Sequence, residues 1–160
     1  MKSGSAGFTV MELLVAVAMI GVMVMLAAPR VNRKSMSLSL ASEEFQGNLR
    51  TARANAMRRG AHFRVTITGT QTYTLQRMSD PDGDGLWTVD ATYPTQTVTI
   101  PPSVSIGAAA VSQKIEFNTR GMLNGTVAGV APTVVYIPLT VTGGSTKTIE
   151  IWPSGQVEES

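Results

Sequence analysis

Eighteen of the 21 residues from Phe8 to Ala28 are apolar, with only Thr9, Glu12 and Gly21 between them. At about 1.5 Å per residue the run makes a helix of about 31 Å, the thickness of bilayer hydrocarbon, and predicts a membrane span. After Pro29 the pattern changes. Val31, Leu38, Phe45 and Ala52 recur every seven residues, and Leu49 and Ala56 follow Phe45 and Ala52 by four. Residues 29–60 therefore read as an amphipathic stem helix with one apolar stripe. Ser35, Ser37 and Ser39 interrupt it and predict an irregular or bent start, while Gly60 supplies the stop. Beyond Gly60 the period becomes two, which predicts strands at 62–67, 73–76, 86–89, 96–100, 114–117, 133–141 and 146–152. Gly143-Gly144-Ser145 reads as a hairpin turn, and Pro138 marks an edge or a bulge. The fold class expected is α+β: a long N-terminal helix, transmembrane in its first half and amphipathic in its second, packed on antiparallel β-sheets. The β-rich body occupies 61–160.

Composition sharpens this picture. The 160 residues allow one ordinary core, and 43% hydrophobic content, 15% charged content and a mean hydropathy of +0.11 are too apolar for a disordered chain. Most of that excess lies in the Phe8–Ala28 run. Zero cysteines exclude disulfide scaffolds, thiolate nucleophiles and cysteine metal sites, and a single histidine excludes a histidine metal cluster. No catalytic constellation is visible, so the chain is expected not to be an enzyme. Charge is segregated: residues 30–60 carry seven cations against Glu43 and Glu44, whereas 61–160 carry five cations against eight carboxylates.

Glu12 is the anomaly of the apolar run, because a carboxylate in hydrocarbon costs several kcal/mol and usually has a paired, functional role. A cut after Gly7 would place a new α-amino group on Phe8, one helical turn before Glu12. Gly7-Phe8-Thr9-Val10-Met11-Glu12, behind a short leader containing Lys2 and ahead of the apolar stretch, resembles the class III signal of type IV pilins and type II secretion pseudopilins. The resemblance implies a leader at 1–7, removed by prepilin peptidase after Gly7, N-methylation of Phe8, and a role for Glu12 in setting subunit register. It also implies that Pro29 interrupts the long helix, with the filament-core segment at 8–28. Arg30, Arg33 and Lys34 follow the run and oppose this orientation by the positive-inside rule. The cleavage signal outweighs them, since it requires a cytoplasmic leader. The expected location is the inner membrane, single-pass with the body outside the cytoplasm, and then a surface pilus or periplasmic pseudopilus.

The body resembles the GspH/FimT branch of the pilin-like family. Ile115 to Gly121 is similar to a Phe-x-x-x-Gly turn of that branch, and Ile149 to Val157 to its closing strand and Ser-Gly turn. The implied function is that of a minor pilin, a structural subunit of a type IV pilus in a priming or tip complex. A type II secretion pseudopilin is the first alternative. Implied partners are other pilin-like subunits, prepilin peptidase, the inner-membrane assembly platform and, before assembly, lipid. A DNA-binding pilin for DNA uptake is the other alternative, resting on Arg50, Arg53, Arg58 and Arg59 as a basic patch. Against it, Gly155-Gln156-Val157-Glu158 stands where DNA-receptor members of the branch carry Gly-Arg-x-Arg.

Asp80-Pro81-Asp82-Gly83-Asp84-Gly85 matches the first half of a calcium loop, with Asp80, Asp82 and Asp84 at alternate positions. The twelfth position is Ala91, where a calcium loop has a glutamate, so a Pro-Asp-Gly turn is the favoured reading and no cofactor is expected beyond this calcium option. His62 shares a strand face with Arg64 and Thr66 and is expected to point to solvent. Tyr73, Trp87, Phe117 and Trp152 read as core or sheet-face residues.

Overall fold

The structure, a computed structural model, describes residues 9–27, 33–80, 82, 83, 85–124 and 133–160, with helix side chains through Met23 and from Lys34. It divides into two units, 1–32 and 33–160. The first contributes one helix, α1 (Val10–Ala27). Among the described residues no helix is long and apolar enough to cross a membrane. α1 has 18 residues, about 27 Å, and the span expected over 8–28 has both its end residues outside the described set.

The second unit opens with α2 (Arg33–Arg59), followed by β1 (Phe63–Ile67), β2 (Thr72–Ser79), β3 (Thr88–Val89), β4 (Gln96–Thr99) and β5 (Val104–Ile106). A short 3-10 turn at Ala108–Ala110 leads to β6 (Lys114–Phe117), β7 (Val135–Val141), β8 (Thr146–Ile151) and β9 (Val157–Glu159). All pairings are antiparallel. One sheet runs β3-β2-β1-β6, with β4 also on β2; the other runs β5-β7-β8-β9. The expected α+β class, a helix packed on antiparallel sheets, is the architecture observed.

α2 crosses both sheets on the stripe that the sequence defines. Leu38, Ala41, Phe45, Leu49, Ala52 and Ala56 are buried, at spacings of three and four, and meet Val65, Ile67, Ile137 and Ile149 from the sheets. Phe45 packs edge-on against Tyr73, with ring centroids 4.9 Å apart and planes at 88°. The irregular start expected at Ser35 to Ser39 is not found; the helix is continuous from Arg33. The buried Leu38 and Ala41 anchor that turn, and tertiary packing overrides weak local propensity. Gly60, at φ +59°, ends α2 in a conformation that other residues adopt at a cost.

β5 and β9 were not legible as strands, each being three residues long. Pro138 lies in β7, an interior strand of its sheet, yet β5 covers only Leu139 to Val141 on that side. β7 is thus locally an edge at Pro138, where the missing N–H costs no ladder bond, and the Pro138 carbonyl accepts from Gly107 at 2.8 Å.

Candidate functional site

At the start of α1, Thr9 and Glu12 satisfy each other's backbone. The Glu12 N–H donates to Thr9 Oγ1 at 3.3 Å, and the Thr9 N–H donates to Glu12 Oε2 at 3.4 Å. Thr-x-x-Glu in this arrangement is a capping box, and it places the carboxylate at the positive end of the helix dipole. The carboxylate therefore has a local role that composition alone did not reveal. Gly7 and Phe8, its neighbours in the expected processing signal, lie outside the described residues, as does Pro29. Every side chain described in α1 is exposed, from Val10 at 78% to Met23 at 69%. A helix apolar all round has no solvent-compatible face, so this surface is one to be covered by lipid or by another apolar surface.

The four arginines weighed as a nucleic-acid patch do different things. Arg53 Nε donates to the Gly121 carbonyl at 2.9 Å and its terminal nitrogen to the Ser154 carbonyl at 3.0 Å. Arg50 donates to Gln46 Oε1 at 3.0 Å and to the Val157 carbonyl at 3.2 Å. Arg58 binds Asn55, and the Arg59 guanidinium lies 5.4 Å from the Tyr93 ring centroid. Arg50 and Arg53 thus lash α2 to the body's closing turns. A Cβ on Gly155 would lie 1.9 Å from the Gly121 carbonyl oxygen and 2.9 Å from Arg53 Nε. Both glycines have positive φ, +74° and +78°. The Phe-x-x-x-Gly and Ser-Gly turns of the sequence are therefore two halves of one knot, tied by a helix arginine that the motifs did not implicate.

The C-terminal strand is secured similarly. Glu159 accepts from the buried Ser42 hydroxyl, from Gln46 Nε2 at 2.9 Å, and from Lys147. The hydrogen bond and charge of Lys147, with those of Ser42 and Gln46, hold its carboxyl below the usual range.

His62 departs from expectation: it is buried, at 8% exposure. It does lie on the Arg64 face of β1, but Trp87 covers it, stacked at 3.7 Å between ring centroids and 4° between planes. Alternation identifies a strand's face and not what lies over it. His62 Nδ1 is 2.9 Å from Glu116 Oε1, which also accepts from Asn124 at 2.9 Å, while Glu116 Oε2 accepts from Arg64 Nε at 2.8 Å. Burial pushes the Glu116 carboxyl up, but the bonds from Asn124, His62 and Arg64 outweigh it and leave the group below its ordinary value. This carboxylate ties β6 to His62, to Arg64 on β1 and to Asn124. Tyr73 and Phe117 are core residues as expected, whereas Trp152 is 41% exposed.

In the acidic loop, Asp80 accepts the Gly83 N–H at 3.0 Å on one carboxylate oxygen and the Gly85 N–H at 3.1 Å on the other. Gly83 and Gly85 take positive φ, and both of their N–H groups turn back onto Asp80. Asp82 is exposed, Asp84 lies outside the described residues, and no acidic or histidine group of metal-binding size occurs among the described residues.

A helix striped onto two antiparallel sheets, preceded by a helix that is apolar but for Glu12 and Gly21, defines a protein of the pilin-like class. Residues 41–155, well over half of the chain, match the family model of the type II transport protein GspH, and the chain belongs to that family. Three solved structures share the fold. The type IV minor pilin FimU of Pseudomonas aeruginosa is similar in two crystal forms. One gives a TM-score of 0.55 at 18% identity over 77% of this chain and 87% of that one; the other gives 0.53 at 17% over 76% and 91%. EpsH, a minor pseudopilin from the type 2 secretion system of Vibrio cholerae, gives 0.54 at 14% identity over 78% and 96%. No curated protein matches the chain by sequence.

Proposed function

We propose that the chain is a minor pilin, a structural and non-enzymatic subunit of a type IV pilus. It is made as a membrane-anchored precursor, cut after Gly7 by prepilin peptidase, methylated on Phe8, and drawn into a filament by its N-terminal helix in a priming or tip complex. The observation that carries this reading is the exposure of every described α1 side chain beside a body that forms its own core from 33–160. Such a helix suits lipid before assembly and neighbouring pilin-like helices afterwards, with the assembly platform mediating the transfer. Met11, Met19 and Met23 favour that exchange, because flexible thioethers adapt to different packing partners. Gly7→Ala should leave full-length precursor in the inner membrane. Normal processing of that variant, read by mass spectrometry of the N-terminus, would contradict the proposal.

The family's description favours a second reading, a pseudopilin of a type II secretion system. Deletion separates the two: loss of surface fibres with secretion intact supports the pilus, and loss of secretion with fibres intact supports the pseudopilus. In both, Glu12→Ala should be processed but poorly recovered in sheared fibres or overproduced pseudopili.

A further inference from the structure

β4 leaves one edge of its sheet bare. Just after it, the Ile100 N–H donates to the Gln71 carbonyl beside β2 at 2.9 Å, so by alternation Val98 and Gln96 also bond inward. The backbone groups of Thr97 and Thr99 therefore face outward, and among the described residues nothing pairs with them. The other edges are blunted. β9 carries Glu158 and Glu159, β6 is closed by the Phe117–Leu123 bridge, and β3 has only two residues. On β5 the Ile106 N–H bonds to the Thr70 carbonyl at 2.7 Å. Around β4 no charged residue occurs between Asp90 and Lys114, so the usual deterrent to strand addition is missing. Pro94 and Pro101 bracket the open stretch and limit it to about five residues.

Beside this edge lies a groove of about 340 Å³, lined by Asn48, Thr51 and Asn55 of α2 and by Leu75, Tyr93 and Gln96. It stands at the small end of ligand clefts, which run from about 300 to 1,000 Å³, and has room for one large side chain. Asn48 Nδ2 donates to the Tyr73 hydroxyl at 2.7 Å, and Asn55 Oδ1 accepts from Arg58 at 2.9 Å. Both amides are thereby fixed, with an acceptor left over on Asn48 and a donor on Asn55. Charge marks the two ends. Glu44 lies one turn before Asn48, whose amide reaches Tyr73 opposite Val98, and so marks the Thr99 end. Arg59, 5.4 Å from the Tyr93 ring centroid, marks the Gln96 end. Neither makes an ion pair among the described residues.

We propose that the β4 edge takes up an extended segment of another polypeptide, about five residues long and antiparallel to β4, whose side chains towards α2 are basic, apolar and acidic in that order. The outward groups of Thr97 and Thr99 supply the ladder. The apolar side chain enters the groove, the basic one meets Glu44 and the acidic one meets Arg59. Glu44 and Arg59 are about 22 Å apart along α2 at 1.5 Å per residue. The first and fifth residues of a strand are about 13 Å apart, and two long charged side chains span the rest. The surface belongs to the body alone, so it serves a pilus subunit and a pseudopilin equally.

The probe is the acetylated, amidated peptide Lys-Thr-Phe-Thr-Glu, added to the purified full chain in detergent micelles and followed by amide NMR. With half-saturation at about 1 mM, the Thr97 and Thr99 amides should shift, and at saturation they should exchange about fivefold more slowly. Val98, already bonded to β2, should change less than about twofold. The reversed peptide Glu-Thr-Phe-Thr-Lys should bind about fivefold more weakly, and Arg59→Glu should erase that preference. Thr97→Pro removes an outward N–H and no inward bond, so it should keep the parent Tm within about 5 °C yet lose the peptide. Unmoved Thr97 and Thr99 amides, equal binding of the two peptides, or binding retained by Thr97→Pro would each overturn the proposal. So would slow exchange at Thr97 that needs no peptide and grows with protein concentration, since two copies would then pair at this edge.

Discussion

α1 and α2 are both helices that carry Leu, Met and Ala, and they solve the hydrophobic problem differently. α2 gathers its apolar residues on one stripe, which the two sheets cover; α1 distributes them around the whole cylinder, and its described side chains remain exposed. Burial of an apolar side chain contributes about 1.5–3 kcal/mol, so the stripe stabilises the body, whereas α1 keeps that free energy for an environment outside its own unit. The sharpest way to break this contrast is a pair of truncations. Phe45→Ala removes a fully buried ring packed on Tyr73 and should cost about 4 kcal/mol in urea unfolding of the full chain in detergent. Leu14→Ala, on α1, should leave the same midpoint within about 0.5 kcal/mol. Equal effects would show that the two helices do not differ as described.

The next largest effect tests whether the α2 arginines serve the body. Gly155→Ala drives a methyl to within 1.9 Å of the Gly121 carbonyl at a positive φ. It should cost about 3 kcal/mol and loosen the Arg53 bonds to both turns. The check is a fall in the urea midpoint together with faster hydrogen exchange at Leu123, whose N–H donates to the Pro153 carbonyl.

How much of the structure is legible in the sequence follows from the range of each interaction. The apolar run and the heptad stripe are local periodicities, and they located α1 and α2, the latter to within a few residues. Strands of four or more residues alternate visibly, whereas β5 and β9 are too short to show a period and are defined by their pairing with β7 and β8. The face of His62 was legible, but its cover, Trp87, comes from a loop 25 residues later and leaves no local signal. In the sequence Arg53 reads as one cation of a patch. Its partners Gly121 and Ser154 lie 68 and 101 residues away, which no spacing rule connects. The Thr9–Glu12 capping box is the opposite case: its Thr-x-x-Glu signal is local, but it is overlaid by the apolar run and the processing motif, which share the same residues.

The Glu116 network sharpens the comparison from the side of pH. The folded carboxyl is held below its ordinary value, so its contribution to stability is fully present above the unfolded pKa of about 4.3 and is lost as pH falls through the lower folded value. Glu116→Gln supplies an amide where Asn124, His62 and Arg64 need an acceptor, and it should cost about 2 kcal/mol at pH 7. The difference between variant and parent should shrink as the solution is taken from pH 5 towards pH 3. Fluorescence of Trp87, stacked on His62, reports the same loosening. A cost independent of pH would assign the effect to shape and not to charge.

The smallest expected effect returns to the head of α1. Removing the Glu12 carboxylate deletes one arm of the capping box and one favourable charge at the positive helix end, about 1 kcal/mol within the first turn. That turn belongs to a unit separate from the body, so the urea midpoint of 33–160 should not move, while amide exchange at Met11 to Leu13 in micelles should rise about fivefold. Glu12→Gln separates the two contributions, since it retains an acceptor for the Thr9 N–H without the charge. If Glu12→Gln protects the first turn as well as the parent yet is recovered poorly in fibres, the carboxylate acts mainly on a neighbouring subunit. If it assembles normally, the hydrogen bond to Thr9 is the part of Glu12 that matters, and the charge is dispensable to both helix and filament.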